Sequence, residues 1–408
     1  MNDLVVRDAS ILMTCQPSQS DVLGLIAGGA VVIRDGKVAW VGPEAALPPD
    51  SSSLPILRAN GGMVTPGLVD AHTHPIFGGE RSREFAMRAA GKTYLEIAAA
   101  GGGIQATVVA TRAASDEELL AAAEARLRRA LACGTTTVEA KTGYALSVDG
   151  EARLLRLLAT LASRQPVTIV PTLLGAHALP SERQADRASY VRECAGPMLD
   201  AATGLAHAVD VYCDEGAFTL DETRTILTAA RQAGFAVRAH AGQFRDLRAA
   251  GLVAELGGLS ADHLEKVSEE QAGRLAAAGT VATLLPGACV QLRLPPPPVE
   301  VLRAAGCMMA LGTDMNPGSS MTESLPLQMW LATTHLGLTV EESWLGVTII
   351  AARAAGRPEA GRLSPGAPGD LVVWDVAAPA MVPYHYGANH ARVVVINGQP
   401  SPPPRASC

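Results

Sequence analysis

Eight short apolar runs, at residues 64–72, 135–141, 167–175, 207–213, 235–240, 258–263, 280–285 and 307–313, alternate with segments of helical periodicity. Runs of this length bounded by turn signals read as buried strands, and regular alternation with helices calls for a parallel sheet. Eight such units predict an α/β fold, a (β/α)8 TIM barrel, over residues 63–360. The intervening helices carry start and stop signals. Ser115-x-x-Glu118, Thr219-x-x-Glu222 and Ser268-x-x-Gln271 are capping-box patterns, closed by Gly134, Gly234 and Gly279. A doubly wound open sheet would need a phosphate-type glycine fingerprint after its first strand, and His72-Thr73-His74 stands there instead.

The two ends of the chain have a different character. Gly29 to Gly42 is a hairpin signal, two apolar runs joined at Asp35-Gly36, and Asp370–Asp375 and Arg392–Gly398 are further β-rich runs. The simplest arrangement pairs residues 1–62 with 361–408 in one small, discontinuous β-sandwich domain beside the barrel.

Composition bounds the function. A net charge of −7 without a basic block gives no electrostatic support for nucleic acid or an anionic membrane as partner. No window approaches ~18 uninterrupted apolar residues, so no membrane span is expected. The seven cysteines are scattered without a C-x-x-C pair, and the N-terminus lacks a basic segment followed by an apolar one. The expectation is a cytoplasmic protein.

A barrel of this kind carries its chemistry at the C-terminal ends of its strands. Strand 1 ends in His72 and His74, which share a face because side chains alternate along a strand. Strand 2 runs into Glu139, Lys141 and Tyr144, strand 3 into His177, and strand 4 into Asp214-Glu215. Strand 5 ends at His240, strand 6 at Asp262-His263 and strand 8 at Asp314. His72, His74, His240 and Asp314 make a His3Asp set suited to one Zn2+ or Fe3+ ion per subunit with room for water. Such an ion lowers the pKa of water from about 15.7 toward ~7 and so supplies hydroxide at neutral pH. His263 is then free to orient or deprotonate that water, and Asp314 to carry a proton to a leaving nitrogen. A two-metal site would need a bridging carboxylated lysine on strand 4, whereas the only lysine near a strand end is Lys141 on strand 2. One metal is expected.

The stretches PGLVDAHTHPIFGGERSREF, AGGGIQATVVATRAAS, EAKTGYALS, TLLGAHALP, ADHLEKVS and GTDMNPGSS resemble the amidohydrolase superfamily and, within it, the imidazolonepropionase family. The resemblance runs over nearly the whole chain. It implies a hydrolase acting on carbon–nitrogen bonds in cyclic amides, which opens 4-imidazolone-5-propanoate to N-formimidoyl-L-glutamate in histidine degradation. By resemblance Arg81, Tyr144, His177, Gln243, Asn316, Gly318 and Ser319 match positions that contact substrate or product, and His263 matches the active-site histidine of strand 6. The types fit. Arg81 offers a fork of donors for the propionate, and His177 an oxyanion-stabilising group. Asn316 precedes Pro317-Gly318-Ser319-Ser320, a turn rich in free backbone donors for an anion.

Gln243 is a departure, because many family members carry glutamate there and a carboxamide cannot transfer a proton. Another mononuclear amidohydrolase, a cytosine- or guanine-type aminohydrolase or a different cyclic amidase, is the alternative. A non-enzymatic binding homologue ranks last because all four ligands are present. The expected partners are a small-molecule substrate and a second copy of the chain in a homodimer.

Overall fold

In the computed structural model, which describes residues 2–16, 21–92, 96 and 101–401, the apolar runs become eight parallel strands that neighbour one another in chain order. They are Leu68–Thr73, Thr135–Lys141, Thr168–Ala176, Ala208–Cys213, Ala236–Ala241, Ser260–His263, Val281–Leu284 and Met309–Leu311, here called barrel strands 1 to 8. Strands 1, 2, 6, 7 and 8 are buried at every residue, because helices cover the outside and side chains fill the inside. The seam between strands 8 and 1 closes just beyond the regular pairing. Asp314 N donates to His72 O at 3.0 Å and His74 N to Met315 O at 3.0 Å. The closure therefore runs through three of the expected metal ligands.

The run 64–72 is not one strand. Val64–Pro66 pairs antiparallel with Leu371–Trp374 in a flanking sheet, and barrel strand 1 begins only at Leu68. Gly67 is the hinge between them: a Cβ there would lie 2.2 Å from Thr136 Oγ1, so the backbone passes where no side chain fits. Apolar periodicity cannot register such a change of sheet, since both halves are buried.

Two sheets flank the barrel. One has the order Lys37–Pro43, Gly29–Arg34, Leu4–Arg7, Ile56–Arg58, and the other Gln399–Pro400, Ala391–Ile396, Leu371–Trp374, Val64–Pro66, Ile11–Met13, Leu25–Ala27. Leu4, Val31 and Ile33 from the first pack with Leu12, Val373 and Val395 from the second in a shared apolar core. The hairpin turns at Asp35 (φ 50°) and Gly36 (φ 75°), the paired left-handed residues that a two-residue loop between twisted strands requires.

The helix signals hold at two of three sites. Ser115 with Glu118 and Thr219 with Glu222 form reciprocal capping boxes. Ser268 makes no side-chain cap, because Gln271 Oε1 accepts instead from Gly251 N at 2.6 Å on the neighbouring helix. A further box joins Thr339 and Glu342. Six cysteines are free thiols, and Cys408 lies outside the described residues. Among the described residues no helix is long and apolar enough to cross a membrane.

Candidate active site and metal centre

Barrel closure brings the strand ends together. His72 Nε2 and His74 Nε2 lie 3.3 Å apart, and both approach Asp314 Oδ1, at 3.4 and 3.5 Å. The His240 ring centroid is 4.5 Å from that of His72, and its Nε2 is buried without a hydrogen-bond partner. Two overlapping sets of ligand atoms, His72–His74–His240 and His72–His263–Asp314, are each compact enough to hold a metal ion. Imidazole nitrogens and a carboxylate oxygen converging in a buried space, with His240 Nε2 unpartnered, fit a borderline cation. A buried orphan such as His240 Nε2 is otherwise costly.

A second layer orients these groups. Asp262 Oδ2 is 2.7 Å from His72 Nδ1, and Asp210 Oδ1 is 3.1 Å from His240 Nδ1. A carboxylate at Nδ1 holds the proton there and leaves Nε2 as the inward lone pair. Burial opposes ionisation of Asp210 and Asp262, but His240, His72 and the fully buried Lys141 outweigh it and keep both well below the usual carboxylate range. Lys141 Nζ is 2.7 Å from Asp210 Oδ2, 3.1 Å from Glu139 Oε1 and 3.7 Å from Asp262 Oδ2. Asp70 is different. Burial raises its carboxyl to about 7 although Thr313 donates to it through both N and Oγ1, at 3.0 and 2.6 Å. Thr313 thereby ties strand 1 to the backbone beside Asp314.

Backbone strain concentrates here. His263 (φ 80°), Leu264 (φ 69°) and Asp314 (φ 50°) are left-handed without being glycine, a cost of roughly 1–3 kcal/mol each. That conformation turns His263 back toward the ligand cluster, its ring 5.4 Å from His240 and its Nδ1 3.5 Å from Glu265 Oε1.

The expected substrate contacts lie around the same mouth, with three changes of role. His177 stacks on His74 at 5.2 Å and 18°, with Nδ1 3.0 Å from Gly143 O. Burial and the neighbouring His74 and His240 push its pKa well below 6.5, so the ring is neutral. A carbonyl only accepts, so Nδ1 carries the proton and Nε2 is an acceptor. His177 thus suits a substrate N–H rather than the oxyanion role expected from its type. Second, the Asn316 turn has no free backbone donors at Gly318 and Ser319. Both amides donate to Asn316 Oδ1, at 2.8 and 2.9 Å, while Asn316 Nδ2 donates to Asp314 O at 2.7 Å. The turn instead presents Ser319 Oγ, 3.0 Å from Asp314 Oδ2. Third, Arg81 is not a bare cation: Nε and Nη2 donate to Glu84 at 2.8 and 2.6 Å.

Tyr144 is buried 5.2 Å from His177, and burial pushes its hydroxyl far above the usual range, so it stays protonated. Its loop hangs on one carboxylate, since Glu151 accepts from Gly143 N, Ala145 N and Leu146 N at 2.7–2.9 Å. Gln243 accepts from the Tyr212 hydroxyl at 2.8 Å.

Residues 86–402 match the model of the amidohydrolase family. The chain is 46% identical over 406 residues to an imidazolonepropionase of Myxococcus xanthus, covering 97% of this chain and 96% of the relative. It is 47% identical to one of Paracoccus denitrificans, covering 92% and 95%. The chain belongs to the imidazolonepropionase family. Among solved structures, a zinc complex of atrazine chlorohydrolase from Arthrobacter aurescens TC1 superposes with a TM-score of 0.72 at 18% identity, covering 97% of this chain and 94% of that one. At that identity the likeness concerns the fold.

Several residues that build this imidazolonepropionase-family site were not singled out from sequence. Asp210 and Arg238 sit inside otherwise apolar strands, and a charge in a doubly buried strand is a legible signal of an internal partner. Asp214 does not face the ligands. It accepts from Phe244 N and Arg245 N at 2.8 and 2.9 Å and so anchors the Gln243 loop. Glu84 and Glu151 had no local signal, each being one acidic residue in a helical first turn.

Proposed function

We propose that the chain hydrolyses 4-imidazolone-5-propanoate to N-formimidoyl-L-glutamate, adding water across the cyclic amide C–N bond. What supports this reading is two overlapping groups of ligand atoms, His72–His74–His240 and His72–His263–Asp314, in a chain 46% identical over 97% of its length to an imidazolonepropionase.

His72, His74, His240 and Asp314 would hold one Zn or Fe ion, with Asp262 and Asp210 fixing the tautomers of His72 and His240. When bound, that cation supplies Lewis-acid chemistry, polarising the amide carbonyl and acidifying water at neutral pH. His263 takes a proton from the attacking water, backed by Glu265 at 3.5 Å. His263 passes that proton to the ionised Asp314 carboxylate, which delivers it to the departing ring nitrogen, with its Oδ2 steadied by Ser319. Neutral His177 accepts a ring N–H through Nε2, Tyr144 closes over the ring, and Arg81 receives the propionate. Gln243, with its oxygen occupied by Tyr212, offers an amide donor and no proton-transfer group. That disfavours a ring aminohydrolase, which would require an acid there.

The test is direct. Purified protein with stoichiometric metal is incubated with imidazolone propionate, and loss of the substrate's ultraviolet absorbance is followed. Turnover to formimidoyl-glutamate is expected, and metal-loaded but inactive protein would refute the substrate assignment.

A further inference from the structure

The Arg81 guanidinium has two bonding edges, and the described residues occupy only one. Nε and Nη2 donate side-on to the two oxygens of Glu84, at 2.8 and 2.6 Å, in a largely buried pair. Glu84 lies in the first turn of helix Ser82–Ala89, where the helix dipole favours a carboxylate. Its Oε1 also accepts from Gly103 N at 3.2 Å. Gly103 (φ 88°) precedes the helix Ile104–Ala113, so one carboxylate ties two loop segments over the barrel mouth.

The remaining corner of the guanidinium, Nη1, donates to nothing among the described residues and abuts Gly318. A Cβ added at Gly318 would lie 2.5 Å from Nη1, 3.2 Å from Arg81 Cζ and 3.3 Å from Asn316 Oδ1. Gly318 has no left-handed φ, so backbone freedom is not what requires glycine there. Space is. The same turn carries Ser319 on Asp314, which sets the free corner beside the reaction centre.

We propose that Glu84 is a positioning residue for substrate specificity. It holds Arg81 by the Nε–Nη2 edge, locks it to the Gly103 segment, and leaves the Nη1 corner, beside side-chain-free Gly318, to take a substrate carboxylate. The inference rests on the reading of Arg81 as the carboxylate contact. A planar guanidinium accepts a carboxylate on each of two edges at once, so Glu84 need not be displaced. Pre-orienting the fork reduces the ordering cost of binding.

Kinetics with imidazolone propionate and with its carboxamide analogue test this. Arg81→Ala should abolish the preference for the carboxylate, and if the preference survives, the underlying reading falls together with the inference. Glu84→Ala should raise KM for the carboxylate on the order of tenfold, hold kcat within about twofold, and leave KM for the carboxamide unchanged. Glu84→Gln, which keeps one acceptor oxygen, should recover part of that loss. Gly318→Ala should raise KM for the carboxylate selectively, and it tests the geometry without removing a charge if Glu84→Ala folds poorly. Tighter carboxylate binding in Glu84→Ala would mean that Glu84 competes with substrate and would overturn the proposal. So would equal losses on both substrates, or an Arg81 effect that no Glu84 or Gly318 variant shares.

Discussion

Lys141 Nζ lies 2.7 Å from Asp210 Oδ2, and Asp210 in turn holds the Nδ1 edge of His240 at 3.1 Å. A lysine at a barrel strand end is thus the counter-ion beneath the candidate metal centre. Burial acts to discharge it, but Asp210 and Glu139 outweigh that and raise its pKa. Lys141→Met would leave buried carboxylates uncompensated, a loss of about 3–5 kcal/mol. Thermal melts should show a lower Tm together with reduced bound metal, and a variant with unchanged Tm and full metal would remove this role.

Asp210→Asn keeps the shape but gives up the charge that orients and enriches His240 as a ligand. Metal affinity should fall roughly 10–100-fold, measured by competition with a chelator of known strength. Equal affinity in variant and wild type would mean that His240 does not depend on Asp210.

Glu151→Gln puts an amide where three backbone N–H groups converge on a carboxylate. At least one of the donors loses its acceptor, at ~2–3 kcal/mol. The expected result is a lower Tm with a raised KM, because the Tyr144 loop moves. A variant that lowers Tm without touching KM would separate the loop from substrate binding.

Asp370 supplies a pH signature far from the chemistry. Burial raises its carboxyl to about 6 although Asn397 N donates to it at 2.8 Å. A carboxyl whose folded pKa exceeds its unfolded value of about 3.9 favours the fold fully below that value. The contribution is lost as pH rises through 6. Asp370→Asn keeps an acceptor and cannot ionise. It should match wild type near pH 4 and exceed it above pH ~6 by roughly 2–3 kcal/mol. Melts of both proteins across that range check it, and a constant difference at every pH would contradict it.

The barrel, its eight strands and the candidate ligand residues could be read from the chain because each is a local pattern. Doubly buried strands are continuous apolar runs, and catalytic groups fall where those runs stop. His72, His74, His240 and Asp314 were visible for that reason. Tertiary structure alone decided which charges converge at the candidate metal site and which stand behind them. His72 and Asp262 are 190 residues apart in sequence yet 2.7 Å apart in space, and no spacing rule encodes that pair. The same holds for Gly67, where Thr136 leaves no room for a side chain at the change of sheets, and for Gln271, drawn from its cap by Gly251. Arg81 shows the division most plainly. Its type suits a carboxylate contact, but which edge of its guanidinium the described residues leave open was settled by Glu84, Gly103 and Gly318. Residue type and period set what a side chain can do, and long-range packing sets what it faces.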